Sequence, residues 1–125
     1  MHESNPQTVV VVGASPNPER YANKAVRALL DHGHRVIPLH PALKEVYGLQ
    51  VIKTLEEISE EVNTVTLYVN AVLSSKLRDS LLDLHPRRVI FNPGAENTDL
   101  RIALERENIE CLEACTLVML GTGQF

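Results

Sequence analysis

Short continuous apolar runs alternate along the chain with longer segments whose apolar residues recur every three or four positions, and that alternation predicts an α/β domain. Thr8 to Val12 is four valines after a threonine, the pattern of a strand buried on both faces of a parallel sheet. Arg35 to Leu39, Val65 to Val69, Arg88 to Phe91 and Ile109 to Leu112 supply four more strands. Between the first two, Ala22, Ala25, Val26, Leu29 and Leu30 recur at helical spacing, while Lys24, Arg27 and Asp31 fall elsewhere on the wheel. This is an amphipathic helix packed on a sheet.

The helix ends carry chemical signals. Asn17 is the expected N-cap of the first helix, with Pro18 in the first helical position and Gly33 closing it in a left-handed conformation. Thr54 and Glu57 form a capping-box pattern for a short helix. Ser74 or Ser75 is expected to cap a helix running to about Leu84, and Thr98 one running to about Glu107. The expectation is one domain over residues 1–125, with 1–7 loosely ordered, and crossovers long enough to be right-handed.

In such a sheet, ligands bind beyond the carboxyl ends of the strands, where loops diverge and helix N-termini point into the gap. The residues there are Gly13-Ala14-Ser15, His40-Pro41, Asn70, Asn92-Pro93-Gly94 and Ala114-Cys115. Gly13, Ala14 and Ser15 would let a diphosphate approach the backbone and the positive end of the following helix. A tight strand-to-helix turn alone explains the same residues. The loop lacks the second and third glycines of G-x-G-x-x-G, and His40 stands where an NAD enzyme places an acid for the ribose.

Composition narrows the classes. The 125 residues fit one domain, 44% are hydrophobic and 22% charged, and no apolar run approaches the roughly 20 residues of a membrane span. The opening residues hold no basic region followed by an apolar stretch, so a cytoplasmic protein without membrane attachment is expected. A net charge of −4 gives no electrostatic reason to bind nucleic acid. Cys111 and Cys115 are too few for a disulfide framework and lack a zinc pattern. His2, His32, His34, His40 and His85 show no paired metal-ligand spacing. No metal site and no catalytic residue is assigned.

Three segments carry a resemblance: Val-Val-Gly-Ala-Ser-Pro-Asn-Pro at 11–18, Arg-Val-Ile-Pro-Leu-His-Pro at 35–41 and Asn-Pro-Gly-Ala at 92–95. With Glu-Ala-Cys-Thr-Leu-Val-Met-Leu at 113–120, the chain resembles the CoA-binding domain family from Thr8 onward. These are stand-alone Rossmann domains similar to the nucleotide-binding domain of the succinyl-CoA synthetase alpha subunit. The resemblance implies a single doubly wound domain, a five-stranded parallel sheet of order 3-2-1-4-5 with helices on both faces, and coenzyme A or an acyl-CoA across the strand carboxyl ends.

On that resemblance the diphosphate lies at Gly13, Ala14 and Ser15 beside Asn17, and the adenine near Leu39, His40 and Pro41. Lys44 looks like the basic residue near the ribose 3′-phosphate, with Arg20 and Lys24 as further cations; each could equally be an ordinary surface charge. Val69 and Asn70 line the middle of the cofactor, although Asn70 could simply cap the next helix. Gly94 leaves space for the pantetheine arm.

The reading that follows is a non-catalytic CoA-binding module, acting as a sensor or with a partner subunit. The alternatives are an NAD(P)- or CoA-dependent enzyme using the same cleft, and a protein-interaction domain with an empty one. Ligases of the synthetase type use a phosphorylatable histidine and an ATP-grasp partner, which these residues do not supply. Cys115 could meet the thiol end of CoA, although a small buried side chain is the plainer reading. The tail, Gly121 to Phe125, is expected either to tuck over the cleft or to meet another subunit; protein partner and oligomeric state stay open.

Overall fold

Five parallel strands form the main sheet: β1 (Thr8–Val12), β2 (Arg35–Leu39), β5 (Thr64–Leu67), β6 (Arg88–Phe91) and β7 (Glu110–Glu113). Their order is β2-β1-β5-β6-β7. A two-residue-per-arm hairpin, β3 (Glu45–Val46) and β4 (Leu49–Gln50), follows β2. The computed structural model describes residues 6–125. His2 and residues 1–5 of the segment expected to be loose lie outside the described residues.

The expected order 3-2-1-4-5 is present once the parallel bridge between Leu39 and Ile52 is counted as the outer position beside β2. The segment beginning near Val65 then lies beside β1, and β7 extends the opposite edge. The reason is local: after the hairpin the chain pairs with β2 in the single bridge at Ile52, then turns through a 3₁₀ segment, Leu55–Glu57, and crosses to the other side of β1. Glu57 accepts hydrogen bonds from the N–H groups of Lys53 and Thr54, both at 2.9 Å, so the capping-box residues act as expected on a shorter element.

Valines on both faces of β1 make it the centre of the core. Val10 and Val12 pack with Leu67, Val89, Phe91, Leu81 and Leu104, under α3 (Arg78–Leu84) and α4 (Thr98–Glu105). Val9 and Val11 pack with Val26, Leu29 and Leu120, under α1 (Tyr21–Asp31) and α5 (Thr116–Gly121). Each buried valine contributes roughly 1.5 kcal/mol or more. Helices on both faces give a Rossmann-like architecture, the α/β domain that the apolar runs predicted in the doubly wound form that the resemblance implied.

Several helix ends differ from expectation. Gly33 does close α1, at φ +85°, but α1 begins at Tyr21 with Arg20, not Asn17, in the N-cap position. Asn17 instead organises a turn: its Oδ1 accepts from Glu19 N–H at 2.9 Å and its carbonyl from Arg20 N–H at 3.0 Å. Two prolines restrict the residues before them and delay the helix. The segment after β5 is two helices, α2 (Ala71–Ser75) and α3, and Asn70 rather than Ser74 or Ser75 caps the first. Asn97, one residue before Thr98, caps α4.

At the amino ends of the strands Gln7 is firmly held, unlike the looseness expected of 1–7. Its N–H donates to His34 Nδ1 at 3.0 Å and its side-chain oxygen accepts from Thr64 Oγ1 at 2.7 Å. The tail reaches the same place: Arg88 lies 4.5 Å over the Phe125 ring and donates to its carbonyl at 3.1 Å. The tail therefore packs at the amino ends of the strands, away from the loops at their carboxyl ends. Apolar contact with His34, ring centroids 5.2 Å apart, offers Phe125 a seat that the exposed loops of the other end lack.

Candidate cofactor-binding site

At the carboxyl ends, the neighbouring strands β2, β1, β5 and β6 deliver four loops to one edge. Those loops, with the start of α1, carry Gly13, Ala14, Ser15, Asn17, Arg20, Lys24, Leu39, His40, Pro41, Lys44, Val69, Asn70 and Gly94. Parallel pairing thus brings together residues spread over some two thirds of the chain.

Gly13 is required where it stands. Its φ is +89°, and a Cβ there would lie 2.9 Å from Val69 Cγ1 and 3.3 Å from the Tyr68 carbonyl oxygen. The N–H groups of Gly13 and Ala14 both donate to the Leu39 carbonyl, at 3.0 and 3.2 Å. Both N–H groups are therefore engaged within the fold, and Ala14 is buried, which differs from the free donors expected of the phosphate cradle. Ser15 Oγ accepts from Asn17 N–H at 3.1 Å and keeps its own proton to donate. Behind it, the first turn of α1 has N–H groups with no intrahelical acceptor.

The β2 loop is set by His40. Its Nδ1 accepts from the N–H groups of Ala42 and Leu43, at 3.0 and 3.1 Å, so the ring proton sits on Nε2. This turns the chain into the hairpin, with Lys44 at its foot. Arg20, Lys24 and Lys44 are exposed, and none belongs to an ion pair among the described residues. Lys24 Nζ lies 5.7 Å from the Tyr21 ring centroid, a weak cation–π contact at an exposed site.

Asn70 fulfils the plainer expectation: its Oδ1 accepts from Leu73 N–H at 3.0 Å, capping α2. Gly94 has open space where a Cβ would sit. The turn that carries it is closed by Ala95 N–H donating to the Asn92 carbonyl at 2.8 Å.

Beneath these loops lies a buried polar layer that sequence patterns did not reveal. Asn92 donates to Thr66 Oγ1 at 2.6 Å and to the Leu67 carbonyl at 2.9 Å, and accepts from Thr116 N–H at 2.9 Å. Thr66 and Thr116 hydroxyls meet at 2.8 Å. Together they fasten the start of α5 to β5 and β6. The Tyr68 hydroxyl is buried with no hydrogen-bond partner among the described residues, and burial pushes its pKa up to about 12. Cys115, expected to be buried, is partly exposed; Cys111 is buried, and burial pushes its thiol up to about 11.

Asn23 was also missed. It is 3% exposed on the sheet-facing side of α1. Its side chain donates to the Ser15 carbonyl at 2.9 Å and accepts from the Tyr47 hydroxyl at 2.6 Å. A polar residue three positions before Val26, within the apolar stripe, was the available signal. No helix of the described residues is long and apolar enough to cross a membrane.

The family model described as CoA binding domain matches residues 7–121. A crystal structure of an uncharacterized protein is 41% identical, with a TM-score of 0.93, covering 98% of this chain and 100% of that one. Cell-free ID.343 from Thermus thermophilus is 24% identical, with a TM-score of 0.87, over 96% of this chain and 91% of that one. The apo dinucleotide forming acetyl-coenzyme A synthetase 1 of Ca. Korarchaeum cryptofilum is similar in fold, at 19% identity and a TM-score of 0.76. That likeness covers 88% of this chain and 26% of the synthetase. In sequence, the chain is 30% identical over 60 residues to the uncharacterized protein YneT of Bacillus subtilis (strain 168). That alignment spans 48% of this chain and 44% of YneT, less than half of either.

Proposed function

Because the chain belongs to the CoA binding domain family, matched over residues 7–121, we propose that it binds coenzyme A or an acyl-CoA at the carboxyl edge of its sheet without transforming it. The observation that carries the reading is the convergence of four strand-end loops around Gly13, whose missing side chain lets the Tyr68–Val69 segment pack against it. The diphosphate lies against Ser15 and the first turn of α1, with Gly13, Ala14 and Asn17 shaping the approach. The adenine rests by Leu39, His40 and Pro41. Lys44, supported by Arg20 and Lys24, meets the 3′-phosphate, giving the local positive charge that an anionic cofactor needs on a chain of net charge −4. Val69 and the Asn70 amide border the pantetheine, which leaves past Gly94.

The role is that of a sensor of the cofactor or of a subunit that presents it to a partner, in the cytoplasm. His40, committed to two backbone N–H groups, stands where a nicotinamide enzyme carries a carboxylate for its ribose. That favours the binding reading over an NAD(P)-dependent one.

Isothermal titration tests the proposal. CoA is expected to bind the folded protein at micromolar to millimolar concentration; no heat at millimolar CoA overturns it. Lys44→Ala is expected to weaken CoA about tenfold, the scale of one charge-assisted contact. Dephospho-CoA is expected to bind Lys44→Ala and the parent protein equally. A parent protein that binds both cofactors with equal affinity removes Lys44 from the 3′-phosphate.

A further inference from the structure

The hairpin that follows β2 reaches back to the phosphate loop through a side-chain relay. Val46-Tyr47-Gly48-Leu49 forms a two-residue turn with φ +51° at Tyr47 and +78° at Gly48. Positive φ at both central positions is the type I′ pattern, in which asparagine, aspartate or glycine normally takes the first place. A tyrosine there is disfavoured by its own backbone. What its side chain does supplies the reason: the Tyr47 hydroxyl donates to Asn23 Oδ1 at 2.6 Å. Asn23 Nδ2 in turn donates to the Ser15 carbonyl at 2.9 Å.

Asn23 is 3% exposed, so its amide has no water to fall back on, and both its polar atoms are used within the relay. Tyr47 is 47% exposed; little burial holds its ring, and the hydroxyl contact fixes the turn. The hairpin is held at its other side by Ile52, whose N–H donates to the Pro38 carbonyl and whose carbonyl accepts from His40 N–H, both at 3.0 Å. Lys44 stands between those fixed points, its carbonyl accepting from Val51 N–H at 3.0 Å. Its stem is therefore carried on a segment clamped at the tip by Tyr47 and at the base by Ile52.

We infer that Tyr47 and Asn23 are positioning residues that lock the Lys44 hairpin to the Ser15 loop, setting the spacing at which the site reads a diphosphate and a ribose 3′-phosphate together. The inference rests on the proposed CoA reading and adds to it the origin of selectivity for the 3′-phosphorylated cofactor. Neither residue touches the cofactor; both act through the separation of two anion-binding elements. A relay of this kind discriminates between ligands that differ only in the distal phosphate.

Titration of CoA and dephospho-CoA into the parent protein, Tyr47→Phe, Lys44→Ala and the double variant tests this. Tyr47→Phe keeps the ring and removes the hydroxyl. It is expected to weaken CoA by about three- to tenfold, the range of one displaced contact to a charged group, with dephospho-CoA changed less than twofold. In the double variant the Tyr47→Phe loss is expected to vanish, because the group that it positions is gone. An unchanged preference for CoA in Tyr47→Phe overturns the inference, even where its unfolding midpoint falls. Equal weakening of both cofactors, or full additivity with Lys44→Ala, overturns it as well. Absence of CoA binding by the parent protein instead overturns the functional reading on which the inference stands.

Discussion

The two ends of the sheet treat their cations in opposite ways. At the amino end, Gln7, His34, Thr64, Arg88 and Phe125 close on one another. Arg88 Nε donates to Thr64 Oγ1 at 2.8 Å and its Nη2 to the Phe125 carbonyl at 3.1 Å, while Thr64 reaches Gln7 and Gln7 reaches His34. At the carboxyl end, loops of small residues surround Gly13, and the cations Arg20, Lys24 and Lys44 face solvent without an ion-pair partner among the described residues. Polar groups satisfied by one another stabilise the fold and have little left for a ligand. Groups held apart on rigid strand ends keep their capacity for one. The difference separates an end closed on itself from an end whose cations face solvent.

The largest effect is expected at Gly13, where both properties meet. Gly13→Ala forces a Cβ to 2.9 Å from Val69 and 3.3 Å from the Tyr68 carbonyl at φ +89°. It is expected to cost about 2–4 kcal/mol, read as a lower urea midpoint, and to abolish CoA binding in protein that remains folded. Wild-type affinity in that variant would break the assignment of this end to the ligand.

Arg88→Ala comes next. Removing a half-buried guanidinium that serves Thr64 and Phe125 is expected to lower unfolding free energy by about 1–3 kcal/mol. CoA affinity, measured well below the melting temperature, is expected to stay within twofold. A parallel loss of affinity would show that the two ends are coupled through α5.

A smaller effect concerns pH. His34 is 6% exposed; burial, then the nearby charges of His32 and Arg88, holds its pKa below the ordinary 6.5. The unfolded chain therefore takes up this proton first. The stability that neutral His34 contributes is complete above about 6.5 and is lost as pH falls from there toward the folded value. Protonation also costs the Gln7 N–H its acceptor. Urea midpoints between pH 7.5 and 5.5 are expected to decline in the parent protein and to decline less in His34→Gln, whose amide oxygen still accepts. Equal slopes in the two proteins would remove His34 from the amino-end network.

Much of the frame was legible in the residues. The limits of β1, β2 and β6 follow the apolar runs closely, because buried strands of a parallel sheet leave no polar position to blur their ends. The strand ends that carry the candidate site were legible for the same reason. Helix starts were harder. Asn17, Ser74 and Thr98 all have the chemistry of a cap, yet Arg20, Asn70 and Asn97 hold the positions. Local chemistry offers several hydrogen-bonding choices within a few residues, and packing against the sheet selects among them.

By itself, the sequence determined the alternation of elements, the parallel sheet with helices on both faces and the residues that stand at the carboxyl ends of the strands. Those depend on periodicity and on strand-end residues, which are local properties of the chain. Only the tertiary structure decided which N–H groups of the Gly13 loop are already engaged, that Phe125 packs at the amino ends of the strands, and that Asn23 joins Ser15 to Tyr47. Each depends on groups far apart in sequence meeting at hydrogen-bond distance, and no local pattern specifies such a meeting before the sheet has brought them together.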